Sequence, residues 1–278
     1  MLTWKVLTVK RRGLTRDVPP GTEDLEWVAN ASTLISGERD AILVDTFMTL
    51  DQSRMQIDWI AASGKNLVAI YLTHAHGDHT YGLGPLLEQF PRARAVALPE
   101  VVQAMRTPTV VDGVFRKAFP GQIPERLVIA EPIDPDGLDL EGARLVPLRM
   151  GRTDTGSTTS LHVPSVGLVV AGDVVYAGIH PYLAETDTAS RGEWISALDR
   201  LEALSPNAVV AGHKVPESED DPRNIERTRQ YLRDFNRLDE ETTTARELYD
   251  AMLKLHPRRA NPGSLWGGAQ RAKALRSS

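Results

Sequence analysis

The first half of the chain alternates short apolar runs with helical patterns. Ala41-Ile42-Leu43-Val44 is a continuous apolar run closed by Asp45, the mark of a buried strand. Asp51 opens a helical stretch that lasts to about Ser63, with Gly64 as its stop. Leu67 to Leu72 is a second buried strand and runs straight into Thr73-His74. The pattern predicts a helix over Leu83 to Phe90, a strand over Arg94 to Leu98, and a short helix over Pro99 to Met105 with proline at its start. Thr107 to Asp136 is rich in Pro and Gly and weakly periodic, so it is expected to be irregular chain over one face of the sheet.

Strands resume at Arg144 to Leu148, Ser160 to Val163 and Gly167 to Ala171, and a last one is expected at Asn207 to Ala211. Between them, Trp194, Ile195, Leu198, Leu201 and Leu204 recur at helical spacing and form an apolar stripe for packing. From Asp221 the pattern is helical and polar, broken at His256-Pro257 and Asn261-Pro262-Gly263. No repeat or linker divides the chain. Residues 1–278 therefore read as one α/β layered domain with a helical extension over about 218–278.

Composition narrows the chemistry. The chain has 278 residues, a formal net charge of -5 and no cysteine. An acidic surface with dispersed Lys and Arg does not suit a polyanion, so nucleic acid is not an expected partner. The lack of cysteine excludes disulfides, thiolate metal sites and Cys nucleophiles, and it fits a cytoplasmic location. The first residues lack the pattern of a signal peptide, and no run of about 18 apolar residues could span a membrane. A small-molecule substrate is the expected partner, with self-association left open.

The strongest chemical signal is Thr73-His74-Ala75-His76-Gly77-Asp78-His79, which follows a buried strand directly. Three imidazoles and a carboxylate at a strand end can converge on one point, and these are the ligands zinc accepts where thiolate is absent. A lone histidine is usually a satisfied core residue; three beside an aspartate need a shared partner. Two later strands end the same way, in Gly172-Asp173 and in Gly212-His213.

The run His-x-His-x-Asp-His, the later Gly-Asp and the later Gly-His, in this order, resemble the metallo-β-lactamase superfamily across about Leu34 to Lys214. The resemblance implies an αββα sandwich with metals in a cleft at the edge of two sheets. It implies that His74 and His76 bind a first metal, that Asp78, His79 and His213 bind a second, and that Asp173 bridges them. Asp45 matches an early strand-end Asp that orients a ligand from behind. Zinc is the expected ion, one or two per chain, with manganese or iron as alternatives. The implied activity is hydrolysis of an ester, lactone, thioester or amide by metal-bound hydroxide, with Asp78 holding the nucleophile and taking its proton, and the metal, or Arg152, stabilising the oxyanion. The alternative is a catalytically impaired relative that acts as a binding protein.

One position departs from the family pattern. Where the family places a further histidine, this chain reads Gly151-Arg152-Thr153-Asp154. Arginine stays protonated and cannot ligate a metal. Three arrangements follow. Asp154 substitutes as the ligand; or the Arg152 guanidinium fills the space of the first metal and neutralises Asp173; or metal binding is lost. The second is preferred, with Arg152 polarising the substrate. Tyr176, His180 and Tyr182, just past Asp173, are candidates to line the cleft, with Tyr81 and Trp266 behind them. His162 is expected to be structural and His256 to be a solvent-exposed helix-end residue.

Overall fold

The computed structural model describes residues 1–107 and 110–276. A hairpin-like pair, β1 (Thr3–Arg12) and β2 (Trp27–Ser36), opens the chain, followed by β3 (Asp40–Val44), α1 (Leu50–Ala61) and β4 (Asn66–Tyr71). Then come α2 (Gly77–Thr80), α3 (Leu83–Gln89), β5 (Arg94–Ala97), α4 (Pro99–Met105) and α5 (Val110–Ala118). The second half holds β6 (Glu131–Pro132), β7 (Leu138–Leu140), β8 (Ala143–Gly151), β9 (Thr158–Val163) and β10 (Leu168–Ala177). It continues with α6 (Thr188–Glu202), β11 (Ala208–Lys214), α7 (Asn224–Glu241), α8 (Ala245–Leu255) and α9 (Pro262–Arg276). The fold is the expected αββα sandwich with C-terminal helices.

Strand order is β6-β5-β4-β3-β2-β11-β10-β9-β8-β7, with β1 on β2. The two halves of this path meet at one register pair, Asn30 with His213. Strand alternation then separates the faces. Ile42 and Val44 of β3, Tyr71 of β4 and Val170 of β10 share one buried cluster with Leu161 and Val210, which is the layer between the sheets. Their neighbours Leu43 and Ile70 face outward beneath α1, α3 and α4. Val169, Ala171, Val209 and Ala211 face the other way, beneath α6 to α9. Both faces of the central strands are covered, which is why they read as continuous apolar runs. The Tyr71 hydroxyl and Thr159 Oγ1, 2.7 Å apart, tie the layers at the site end.

Three elements bear on the sequence expectation. The segment 107–136 is not wholly irregular: α5 lies within it and places Phe115 against Tyr81. β10 does not stop at Ala171 but continues to Ala177, with its pairing to β11 shifting register on either side of Gly172. The apolar stripe of α6 packs as expected, and Trp194 is fully buried with its indole N–H donated to the Val174 carbonyl at 2.8 Å.

Candidate metal centre

The candidate ligands gather just beyond β3 and β4, at the end of β11 and within β10. The end of β3 carries Asp45, which has a left-handed φ of 61°. That backbone conformation costs about 1 kcal/mol or more for a residue other than glycine. It turns the carboxylate onto the loop after β4. Asp45 Oδ1 accepts the Thr73 backbone N–H at 2.8 Å, and Oδ2 accepts the Thr73 hydroxyl at 2.7 Å. Asp45 Oδ2 also lies 3.1 Å from His79 Nδ1.

These contacts assign the imidazole tautomers. The Thr73 proton is given to Asp45, so His74 Nδ1, 3.0 Å away, must donate to Thr73 Oγ1. The Nε2 lone pair of His74 is thereby turned inward. His213 is held in the same way, with Nδ1 donating to the Ala29 carbonyl at 3.1 Å. His76 is anchored through its other nitrogen, whose Nε2 lies 3.4 Å from Glu185 Oε1. Burial, followed by the charge of His79, lowers the His74 pKa and keeps the ring neutral, the form that ligates.

His74, His76, Asp154 and Asp173 bring ligand atoms within 4.8 Å of one another, and so do Asp78, His79 and His213. A third trio, Asp45, His74 and His79, meets the same spacing, but the Asp45 oxygens are already committed to Thr73. In the first set, His76 Nδ1 lies 3.1 Å and His74 Nε2 3.8 Å from Asp154 Oδ2. His79 Nε2 lies 3.2 Å from Asp173 Oδ1. Close as they are, these groups are not aligned to bond one another: His74 Nε2, Asp154 Oδ2 and Asp173 Oδ1 are all buried and have no hydrogen-bond partner. Native interiors rarely leave such atoms unsatisfied, and three converging ones make a donor set that could hold a cation. Asp173 itself is fixed by the Tyr176 hydroxyl, which donates to Oδ2 at 2.7 Å. Two glycines allow the approach. Gly172 has a φ of 57°, and a Cβ on Gly212 would lie 2.2 Å from Asp173 Oδ1.

Arg152 is not where the preferred sequence reading placed it. Gly151, at a φ of 78°, turns the chain, and the Arg152 side chain is exposed. Its Nη2 reaches only the Glu185 carbonyl, at 3.4 Å, and makes no neutralising contact with Asp173 or Asp78. Asp154, two residues on and fully buried, takes the inward position instead.

Beside the donors lies an open cleft lined by His76, Asp78, Asp173 and His213. Tyr176 and Tyr182 line it as expected; His180 does not. His180 is wholly buried, with Nδ1 2.9 Å from the Tyr231 hydroxyl on α7, and burial drives its pKa well down. Tyr81 packs on Phe115 and Trp266 on Tyr249. His162 lies on β9, half-buried, with no ligand role. His256 is not solvent-exposed: its ring lies tilted 4.8 Å from that of Tyr231, and it pairs with Asp234 at 3.1 Å.

The sequence reading missed three site residues. Arg11 donates from Nη2 to Asp78 Oδ2 at 2.8 Å, with its side chain only 8% exposed. Asn30 Nδ2 bonds the same oxygen at 3.0 Å. Glu185 lines the cleft and accepts the Thr155 hydroxyl at 2.8 Å.

Comparison with known proteins identifies the family. The family model described as metallo-beta-lactamase superfamily matches residues 25–213. The chain belongs to the metallo-beta-lactamase superfamily. Among curated superfamily relatives, a hydroxyacylglutathione hydrolase of Synechococcus sp. (strain CC9902) is 30% identical over 164 residues, 55% of this chain and 54% of that protein. The chain thus spans about half the length of that relative. A metallo-beta-lactamase family protein from Thermus thermophilus superposes with a TM-score of 0.64 at 20% identity, covering 98% of this chain and 93% of the other. A metallo-beta-lactamase from Pontibacter korlensis gives 0.60 at 17% identity, covering 84% and 99%. At these identities the structural likeness speaks for the superfamily fold alone.

Proposed function

We propose that the chain is a metal-dependent hydrolase of a small acyl compound, with its ion held by His74, His76, Asp154 and Asp173. The observation that carries this reading is the trio of buried, unbonded donors, His74 Nε2, Asp154 Oδ2 and Asp173 Oδ1, beside an open cleft. Each unsatisfied polar atom costs about 1–3 kcal/mol, and a shared cation removes the cost for all three. Imidazole and carboxylate without thiolate suit zinc, with manganese and iron as further candidates. A divalent ion there supplies Lewis acidity and brings the pKa of a coordinated water towards about 7.

The protein's own groups set the remainder. Tyr176 and the two glycines hold Asp173 in place, and Glu185 fixes the ring of His76. Burial, with Glu185 and Asp154 nearby, raises the Tyr182 pKa, so its phenol keeps its proton and can donate to a substrate oxygen. Asp78 is poorly suited to the proton-accepting role expected from sequence. Burial raises its pKa, but the charges of His79, Arg11 and His213 outweigh burial and hold it far below the usual range.

Leu14, Val28 and Phe115 give the cleft an apolar portion suited to an acyl chain. Ester, lactone, thioester and amide substrates all fit this chemistry, and the name of the curated relative, a hydroxyacylglutathione hydrolase, supports a thioester. The inward place of Asp154 beside His74 and His76 supports the hydrolase reading over the binding-protein alternative. We take residues 1–278 to act as one domain: β10, α6 and the helices α7 to α9 contribute to one buried cluster.

Purified protein assayed on an aryl ester, a lactone, an S-acyl thiol and an anilide should turn over at least one, the S-acyl thiol fastest. Chelation should abolish turnover, and added zinc, manganese or iron should restore it. Turnover indifferent to chelation, or none by protein that holds its ion, would sink the proposal.

A further inference from the structure

The two candidate ligand sets differ in how their carboxylates are satisfied. In the first set, Asp154 Oδ2 and Asp173 Oδ1 are buried without partners. In the second, Asp78 Oδ2 already accepts the Arg11 guanidinium at 2.8 Å and the Asn30 amide at 3.0 Å. The Asn30 amide orientation is secure, because reversing it would point an oxygen at the Asp78 carboxylate. His213 Nε2 stands 3.6 Å from the same Asp78 oxygen, so the guanidinium lies beside the space a second ion would need.

Charge points the same way. Asp154 and Asp173 together match one divalent cation, while Asp78 is matched by Arg11. A second divalent ion would meet a cation already in contact with its only unshared carboxylate. The Arg11–Asp78 pair is screened from water, with side chains 8% and 11% exposed, so repulsion there is strong. Arg11 reaches the site from β1, where it pairs in register with Val28 of β2, so the sheet itself fixes its approach.

We propose that Arg11 takes the place of a second metal at the Asp78–His79–His213 set, making this chain a one-ion centre. The inference rests on the hydrolase reading for its first ion and goes beyond it in assigning Arg11. Arg11 also lines the cleft, so its positive charge stands beside any anionic oxygen on a bound substrate. Arg11 is thus a permanent cation where the sequence resemblance implied a second ion.

The test is metal stoichiometry, read by elemental analysis after zinc loading and gel filtration, with affinities from chelator competition. The wild type should retain one equivalent. Arg11→Met keeps the apolar stem of the side chain and removes the charge; it should retain two equivalents, its second-site affinity rising about tenfold or more. Circular dichroism and a melting curve confirm that the variant is folded. Independently, Asp78→Asn should keep the single equivalent with affinity within about threefold, because Asp78 does not hold that ion. Two equivalents in the wild type, a folded Arg11→Met protein with only one, or loss of the ion in Asp78→Asn would each overturn the assignment of Arg11. A wild type that binds no ion would overturn the hydrolase reading as well.

Discussion

Asp154→Ala should strip the protein of its tightly bound ion and lower hydrolytic activity at least a hundredfold. Removing a supporting residue behind a ligand typically costs about 10–100-fold in metal affinity, and removing a ligand itself should cost more. The substitution takes away a carboxylate whose Oδ2 lies 3.1 Å from His76 Nδ1 and has no other partner. Arg152→Ala should leave metal content and activity within about threefold, since exposed surface changes seldom matter. Its guanidinium is exposed, and its hydrogen bond among the described residues goes to a backbone carbonyl. The pair of variants discriminates between the two residues of the same loop. If Arg152→Ala abolished activity while Asp154→Ala kept its metal, the site would be built the other way round.

Asp45→Ala should reduce both stability and metal affinity. The carboxylate serves two groups on Thr73 and one on His79, all of them buried. Leaving the two Thr73 donors unsatisfied costs about 1–3 kcal/mol each, which should lower the melting temperature by at least about 5 °C. Metal affinity should fall about 10–100-fold, because Thr73 can no longer fix the tautomer and direction of His74. Thermal melting of the metal-free protein separates the two effects. An unchanged melting temperature together with unchanged affinity would show that Asp45 is not the anchor described.

Much of this site was legible in the sequence, and the failures have physical causes. His74, His76, Asp78 and His79 follow the end of β4, and Asp173 and His213 come directly after the apolar runs of β10 and β11, so pattern and chemistry coincided. The loop from Gly151 to Ser157 offered both Arg152 and Asp154, but sequence spacing does not reveal which side chain turns inward after a glycine of positive φ. Arg11 was hidden within Lys10-Arg11-Arg12, which reads as a solvated basic run, although the alternation of β1 makes one of the three face the site. Asn30 left a fainter trace as a polar residue in a strand whose neighbours are buried and mostly apolar. The helix α5 was masked by the Pro and Gly content around it, and its own Gly113 weakens the helical signal further. Glu185 lies in irregular chain after Tyr182, where no periodicity marks a residue as inward-facing.

The superfamily fold itself was readable because its central strands are covered on both faces and so are almost purely apolar. The turn of the path from one sheet layer into the other was not readable. It depends on a single register pair between strands far apart in sequence, Asn30 with His213. That pair also places Asn30 beside Asp78, so the link between the layers and the electrostatics of the second ligand set come from the same contact.

An anomalous-difference map collected at the zinc edge from crystals of zinc-loaded protein tests the central claim most directly. A peak enclosed by His74, His76, Asp154 and Asp173 is the predicted result. A peak confined to Asp78, His79 and His213, or no peak in protein loaded with excess zinc, would contradict it.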